Sequence, residues 1–147
     1  MKILYTRGQA SLEKIVEHLT CCNALFIPPL SSKVNIEEYA QKLLLYAERF
    51  EAWKHDQLVG LVAVYVNDPD KEKAFITNVS VLQKLGGRGI AKQLIEQSLS
   101  GAKEQEFKKI VLEVSADNHA ALGLYKKMHF IAQKLDKSNT LTMSKYL

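Results

Sequence analysis

The stretch LGGRGIAKQL, residues 85–94, places three glycines and an arginine directly before a regular apolar spacing. A strand, a glycine loop and a helix in this order present unpaired backbone N–H groups and the positive end of a helix dipole to an anion. Glycine suits such a loop because a Cβ would hold a phosphate away and because these loops adopt positive φ angles. The stretch therefore predicts a phosphate cradle, with an ordinary glycine turn into a packed helix as the alternative.

Spacing excludes two familiar nucleotide-binding motifs at this loop. A P-loop requires Gly-Lys-Ser/Thr after four intervening residues, and the sequence does not supply it. A dinucleotide fingerprint requires glycine or alanine where Lys92 stands, and an acidic residue after a second strand. Neither pattern is met.

A second segment, DNHAALGLYKKM at residues 117–128, has the spacing of a helix and carries two polar side chains on one face. Seven residues turn a helix through roughly 700°, so Asn118 and Tyr125 lie nearly above one another, about 10 Å apart, with the small Ala121 between them. An amide, a gap and a phenol on one face can line a thioester arm. The alternative is that Asn118 caps the helix and Tyr125 anchors it to a sheet.

Together, VSVLQKLGGRGIAKQLI and LEVSADNHAALGLYKKMHF resemble the Gcn5-related N-acetyltransferase (GNAT) superfamily over roughly residues 55–131. The resemblance implies acetyl-CoA as co-substrate, with its pyrophosphate on the backbone N–H groups of the loop and its pantetheine arm along the preceding strand. It also implies that the asparagine contacts the cofactor and that the tyrosine lies near its sulfur. The cofactor-binding residues expected on this basis are Val79, Val81, Gly86, Gly87, Arg88, Gly89, Ile90, Ala91, Asn118 and Tyr125.

The chain departs from the superfamily pattern at two positions. Gly86 stands where glutamine or arginine is usual, which is expected to weaken one phosphate contact while leaving the backbone cradle. His129 stands where glycine usually precedes phenylalanine, and we interpret it as structural rather than catalytic.

Acetyl transfer from a thioester to an amine requires a deprotonated amine, stabilisation of a tetrahedral oxyanion and protonation of the leaving thiolate. Tyr125 is the candidate acid, and a backbone N–H between Val79 and Val81 is the candidate oxyanion donor. Glu113 is the candidate base, because it interrupts the apolar run IVLEV. It precedes Tyr125 by twelve residues, a spacing similar to that of the ribosomal-protein N-terminal acetyltransferases.

Two alternatives to Glu113 as base stay open. Glu113 can be a solvated glutamate at a strand end, or the proton can leave through a water chain without a dedicated base. The acidic position that is more usual in the superfamily, on the preceding strand, is occupied by Phe75, and Asn78 cannot act as a base.

The first fifty residues must recognise the acceptor amine. The loop FIPPLSSKVN leads into a helix that carries Tyr39 and Tyr46, and two tyrosines can close over a compact polar ligand. We therefore expect a small amine, such as an amino sugar, with Tyr39, Tyr46 and Asn78 as substrate residues. The alternatives are a peptide α-amine, which the spacing of Glu113 and Tyr125 favours, and a catalytically silent CoA-binding module.

Composition bounds the class of protein. The chain has 147 residues, 47% hydrophobic and 24% charged, which predicts one globular domain over residues 1–147. Without a secretory leader or a membrane-length apolar run, and with a scattered net charge of +4, we expect a cytoplasmic protein that binds neither membranes nor nucleic acid. The adjacent Cys21 and Cys22 fit no disulfide or zinc spacing, so we expect reduced, largely buried thiols and no metal. For the oligomeric state, we expect a monomer or a homodimer.

Hydrophobic periodicity predicts the elements that position these residues. Helices are predicted from Ser11 to about Cys21, over 36–50 with Asn35 as cap, over about 89–104 and over 117–128; strands are predicted at 2–6, 51–54, 58–66, 73–81, 108–114, 130–135 and 140–146. The run LVGLVAVYV is apolar on both faces, which indicates a central strand. The element order and the resemblance together predict an α/β (α+β) fold, with a mixed, mainly antiparallel central sheet flanked by helices.

Overall fold

The sheet of the computed structural model, which describes residues 2–147, has seven strands in the order β1-β2-β3-β4-β5-β7-β6. In chain order the elements are β1 (Leu4–Arg7), α1 (Leu12–Cys22), α2 (Ile36–Tyr46), β2 (Glu48–Lys54), β3 (Gln57–Tyr65), β4 (Lys73–Val81), α3 (Ile90–Glu104), β5 (Lys109–Ser115), α4 (His119–Lys127), β6 (Ile131–Leu135) and β7 (Thr140–Tyr146). Neighbouring strands are antiparallel except β4 and β5, which run parallel. The predicted mixed, mainly antiparallel sheet with flanking helices is therefore confirmed.

Strand β3 lies at the centre of the fold and is buried on both faces, as its apolar run predicts. Helices α1 and α2 cover one face, where their apolar side chains cluster with Leu58 and Leu61. Helices α3 and α4 cover the other, where theirs cluster with Val59 and Val62. We call these the α1/α2 face and the α3/α4 face of the sheet.

Gly60 sets how closely α3 approaches the central strand. A Cβ added to Gly60 would lie 2.9 Å from Cγ2 of Ile90 and 3.1 Å from Cδ1 of Leu94, which is closer than carbon atoms pack. The first residue of α3 therefore rests directly on the backbone of β3, and the start of the helix is fixed by that contact.

A buried carboxylate ties the N-terminal segment to β2. The Glu51 side chain is fully buried; its Oε1 accepts hydrogen bonds from Thr6 Oγ1 at 2.8 Å and the Gln9 N–H at 2.7 Å. Its Oε2 accepts from the Ala10 N–H at 2.9 Å and from Arg49 Nε at 3.3 Å. One side chain thus joins β1, β2 and the turn that leads into α1.

The predicted helix caps are confirmed, but the predicted end of α2 is wrong. The side chains of Ser11 and Asn35 accept hydrogen bonds from backbone N–H groups three residues ahead. Helix α2 ends at Tyr46 rather than continuing to Phe50, which pairs instead with Arg7 of β1 and Val62 of β3. Pairing with strands on both sides outweighs the helical spacing of the aromatic residues.

The cysteines differ from each other in environment. Both thiols are free, but only Cys22 is buried, while Cys21 is exposed, so the expectation of two largely buried residues is wrong for Cys21. Successive helix positions point about 100° apart, and Cys22 takes the inward one. Within residues 2–147, no helix is long and apolar enough to cross a membrane, and no three His, Cys, Asp or Glu residues are grouped as metal ligands.

We predict that Glu51→Ala destabilises the fold by about 3–5 kcal/mol, because it leaves a buried guanidinium and two backbone N–H groups without their acceptor. Glu72→Ala is the control, since Glu72 pairs with Lys108 on the surface and both side chains are more than half exposed. Urea unfolding followed by circular dichroism measures both. Equal unfolding midpoints for the two variants would contradict the prediction.

Candidate active site

Strands β4 and β5 separate partway along their length. They pair in parallel from Lys73 and Lys109 up to Ile76 and Leu112, but β4 continues to Val81 and β5 to Ser115. At the same point a register shift against β3 leaves Thr77 without an opposite residue, which is the signature of a β-bulge. Within the described sheet, one edge of β4 therefore has no strand beside it over residues 77–81.

The bulge also decides which way the side chains of β4 point. Ile76 lies opposite Val64 in the α3/α4 cluster, whereas Asn78 lies opposite Ala63 in the α1/α2 cluster. Val79 and Val81 then return to the α3/α4 face. In a regular strand Ile76 and Asn78 would share one face, so the regular alternation of the sequence does not predict the position of Asn78.

A groove of about 650 Å³ opens between the separated strands and passes from one face of the sheet to the other. Its α1/α2 side is lined by the connection between α1 and α2, by Asn78 and by Glu113. Its α3/α4 side is lined by Val79, Val81, Ala91 and residues of α4. Two ligands entering from opposite faces can therefore meet in the gap.

The glycine loop has the predicted geometry of an anion cradle. Gly87 and Gly89 have φ angles of 79° and 78°, and a Cβ at either position would meet nothing within 4 Å, so the space above the loop is open. Gly89 caps α3 without a side-chain hydrogen bond, and no acidic residue lies in the first turn. The first-turn N–H groups, including those of Ile90 and Ala91, therefore have no acceptor within the helix.

A second cavity of about 420 Å³ lies between this loop and α4. The loop contributes Gly86, Gly87 and Gly89 to its lining, and the basic residues Lys92 and Lys127 also line it. Arg88 is exposed in the loop and is not part of this lining. Open backbone donors with nearby lysines suit a phosphate group.

Helix α4 brings Asn118, Ala121 and Tyr125 into the groove, as their spacing predicts. Asn118 Oδ1 accepts a hydrogen bond from the Ala121 N–H at 3.2 Å and so also caps the helix. Tyr125 is only 6% exposed, and its ring centroid lies 5.8 Å from that of Phe130. Burial raises the pKa of Tyr125, so the phenol keeps its proton at neutral pH.

Glu113 lies at the groove and is exposed. Its exposure matches the alternative of a solvated glutamate near a strand end, while its place at the groove keeps the role of base open. Its neighbours Leu112 and Val114 face the α3/α4 cluster, so Glu113 points to the α1/α2 face, the same face as Asn78. The structure thus brings Glu113 and Asn78 to one side of the groove and Tyr125 to the other.

The two tyrosines predicted to contact substrate do not line the groove. The Tyr39 hydroxyl donates to the Thr77 carbonyl at 2.9 Å, and burial raises the pKa of Tyr39 to about 12. Tyr39 therefore supports the bulge of β4. Tyr46 is 67% exposed at the end of α2.

Sequence reasoning missed two groups of groove residues. One is the wall formed by Leu25, Phe26 and Ile27, and the other is the turn between β6 and β7 with Asp136 and Ser138. The loop FIPPLSSKVN, which begins at Phe26, pointed to the first group. The sequence of a hairpin turn does not indicate that the turn lies beside a groove, so the second group could not be predicted.

The acetyltransferase (GNAT) family model matches residues 12–130 of the chain. N-alpha-acetyltransferase MAK3 of Arabidopsis thaliana is 27% identical over 119 residues, which are 80% of this chain and 63% of that protein. L-2,4-diaminobutyric acid acetyltransferase of Halomonas elongata is 28% identical over 72 residues, 49% of this chain and 38% of that protein. The chain thus spans less than two thirds of the length of these relatives.

Among solved structures, PaiA N-acetyltransferase from Thermoplasma acidophilum in complex with coenzyme A has a similar fold. It superposes with a TM-score of 0.80 over 100% of both chains, at 18% sequence identity. The likeness concerns the fold, including the arrangement of the seven-stranded sheet and its helices.

We predict that CoA raises the melting temperature and that Gly89→Leu abolishes this rise, because the side chain fills the open space above the loop. Gly8→Leu is a matched control. Gly8 has a φ of 67° and equally open surroundings, and it lines neither cavity. Both variants should lose about 1–2 kcal/mol through backbone strain, but only Gly8→Leu should keep the CoA-dependent shift in a thermal melt. An unchanged shift in Gly89→Leu would contradict the loop assignment.

Proposed function

The chain belongs to the acetyltransferase (GNAT) family, and we propose that it transfers the acetyl group of acetyl-CoA to the nitrogen of a primary amine. The observation that carries this proposal is the groove that crosses the sheet between β4 and β5. Tyr125 lies on its α3/α4 side, where Val81 and Ala91 also line the cavity of the open glycine loop, while Glu113 and Asn78 lie on its α1/α2 side. Cofactor and acceptor would approach from these two faces.

On the cofactor side, the loop N–H groups would bind the pyrophosphate. The free edge of β4 would pair with the pantetheine amides through the main chain near Val79 and Val81, as an added strand does. Asn118 and the small Ala121 would border the arm and lead its thioester toward Tyr125. A backbone N–H of the same β4 segment would stabilise the oxyanion.

On the acceptor side, the amine nitrogen would attack the thioester carbonyl, forming the C–N bond and a tetrahedral oxyanion. The C–S bond would then break as the oxyanion collapses to the amide. Glu113 would take the proton of the resulting ammonium directly or through water, and its exposure favours exchange with solvent. Tyr125 would donate its hydroxyl hydrogen to the departing sulfur, as a hydrogen bond or as a proton. The products are the acetylated amine and CoA.

The acceptor proposed is a small primary amine with an apolar portion. Leu25 and Ile27 are 40% and 46% exposed at the groove, and with Phe26 they form an apolar wall that suits such a portion. The tyrosine contacts that favoured an amino sugar lie outside the groove, so that narrower choice loses its support. The Halomonas relative is named for a small diamino acid.

A peptide α-amine is the second candidate. The same exposed apolar wall can hold the first side chain of a peptide, and the groove is open at the surface rather than enclosed. The Arabidopsis relative is named for N-alpha-acetylation.

We predict that Tyr125→Phe lowers kcat by about 100-fold with little change in the KM for acetyl-CoA, because the hydroxyl is needed mainly as the sulfur leaves. Tyr146→Phe is the control, since Tyr146 is 72% exposed at the end of β7. Initial rates of thiol release between pH 6 and 9 measure both variants. Turnover of Tyr125→Phe at the wild-type rate would show that this residue only packs.

We predict that a panel of amines gives the highest kcat/KM for a small amine with an apolar portion. The panel contains amino sugars, polyamines, diamino acids, arylalkylamines and short peptides at equal concentration, with mass spectrometry of the products. A peptide preferred tenfold over every small amine would overturn the choice of acceptor. Absence of turnover with all classes, despite CoA binding, would contradict the enzymatic function.

A further inference from the structure

A chain of buried polar side chains leads from β3 to the acceptor side of the groove. His18, Ser80 and Asn78 are 2%, 8% and 3% exposed. His18 Nδ1 lies 3.0 Å from the Leu58 carbonyl oxygen, and His18 Nε2 lies 2.9 Å from Ser80 Oγ. Ser80 Oγ lies 2.8 Å from the side-chain amide of Asn78. The other end of that amide is buried without a hydrogen-bond partner.

The hydrogens available fix the direction of these bonds. The carbonyl of Leu58 can only accept, so Nδ1 of His18 carries a hydrogen. Burial lowers the pKa of His18 to about 4, so the ring is neutral at pH 7 and Nε2 has a free lone pair. Nε2 lies 2.9 Å from Ser80 Oγ and 3.8 Å from Cys22 Sγ, so the single hydroxyl hydrogen of Ser80 fills the shorter contact.

Asn78 must therefore donate to Ser80. In the structure, Oδ1 of Asn78 faces Ser80, and Nδ2 has no hydrogen-bond partner. Because the Ser80 hydrogen is donated to His18, Ser80 Oγ and Asn78 Oδ1 then face each other as two acceptors with no hydrogen between them. Rotating the amide by 180° exchanges its oxygen and nitrogen, which have nearly the same shape, and turns the 2.8 Å contact into a hydrogen bond.

The rotation leaves the Asn78 oxygen as an unsatisfied acceptor beside the groove. The Tyr39 hydroxyl is close to this amide, but its hydrogen bonds are with Thr77: it donates to the carbonyl at 2.9 Å and lies 2.7 Å from Oγ1. A buried carbonyl without a donor is destabilising, so a ligand that brings an N–H is favoured there. Asn78 and Glu113 both line the acceptor side of the groove, and a primary amine can offer one hydrogen to each.

We propose that the side-chain oxygen of Asn78 accepts a hydrogen bond from the acceptor amine and selects primary over secondary amines, and that His18 and Ser80 are positioning residues that hold this orientation. The inference rests on the proposed N-acetyltransferase function. A neutral primary amine has two hydrogens on its nitrogen. One can bond to Asn78 and the other can point toward the base, while the nitrogen lone pair is directed at the carbonyl carbon of the thioester. An N-methylated amine has one hydrogen and cannot satisfy both groups.

The test compares Asn78→Leu, of similar volume, with the wild type. The substrates are the primary amine that the wild type acetylates fastest and its N-methyl derivative. Asn78→Leu should lower kcat/KM for the primary amine by about 10- to 100-fold, narrow the preference for it over the N-methyl derivative, and leave the KM for acetyl-CoA unchanged. Ser80→Ala, which frees the amide to rotate, should narrow the same preference by a smaller factor.

Ser98→Ala is the control for loss of a buried hydroxyl, since Ser98 donates to the Ile95 carbonyl within α3 and lies outside the groove. It should keep the wild-type preference. A folded Asn78→Leu variant with wild-type kcat/KM and preference would overturn the proposal, and if that variant fails to fold, an unchanged preference in Ser80→Ala would do so.

A nitrogen-15 spectrum of the His18 ring at pH 7 tests the hydrogen-bond direction without any turnover. The proposal requires the neutral form with hydrogen on Nδ1, and a cationic ring or hydrogen on Nε2 alone would overturn it. If the wild type acetylates no amine, the proposed function is contradicted. The nitrogen-15 spectrum of His18 still tests the orientation of Asn78 in that case.

Discussion

The separation of β4 from β5 beyond Ile76 and Leu112 is the constraint on which the rest of the site depends. Strand β5 cannot follow β4, because it is paired with β7 along its whole length, from Lys109 to Ser115. Strand β4 cannot follow β5, because it stays paired with β3 as far as Val81. The Tyr39 hydroxyl holds the bulge at the point of separation. The gap therefore forms because β4 stays paired with β3 on one side and β5 stays paired with β7 on the other.

An open gap in a sheet leaves backbone donors and acceptors without strand partners, and the fold must be stable without them. The core compensates on both faces of β3, and the Glu51 carboxylate secures the edge of the sheet farthest from β6. The region that binds ligands is thus separated from the region that supplies stability. Such a division lets the groove keep unsatisfied polar groups, including the Asn78 amide, that a ligand can pair.

Much of the fold and part of the site could be predicted from the sequence, because the signals were local. Caps at Ser11 and Asn35, the alternation in β4 and the glycines before α3 each determine their own conformation. What failed depended on partners distant in sequence. Phe50 belongs to a strand because β1 and β3 flank it. The sequence offered no prediction of the sheet face on which Asn78 lies, because this face depends on a register shift against β3. Tyr46 has the helical spacing of a residue on the same face as Tyr39, yet it is exposed at the end of α2. Spacing alone does not predict whether the last turn of a helix is covered by the rest of the protein.

The contact between Gly60 and Ile90 links the hydrophobic interior to the cradle. The helix whose first N–H groups face the open space above the loop begins at the residue that rests on the bare backbone of β3. A methyl group at position 60 would lie 2.9 Å from Cγ2 of Ile90, so the first residue of α3 would have to shift. Affinity for an anion could thus change through a substitution that no ligand ever touches. A substitution at position 60 would thus act on the start of α3 without changing any residue that lines the cavity of the glycine loop.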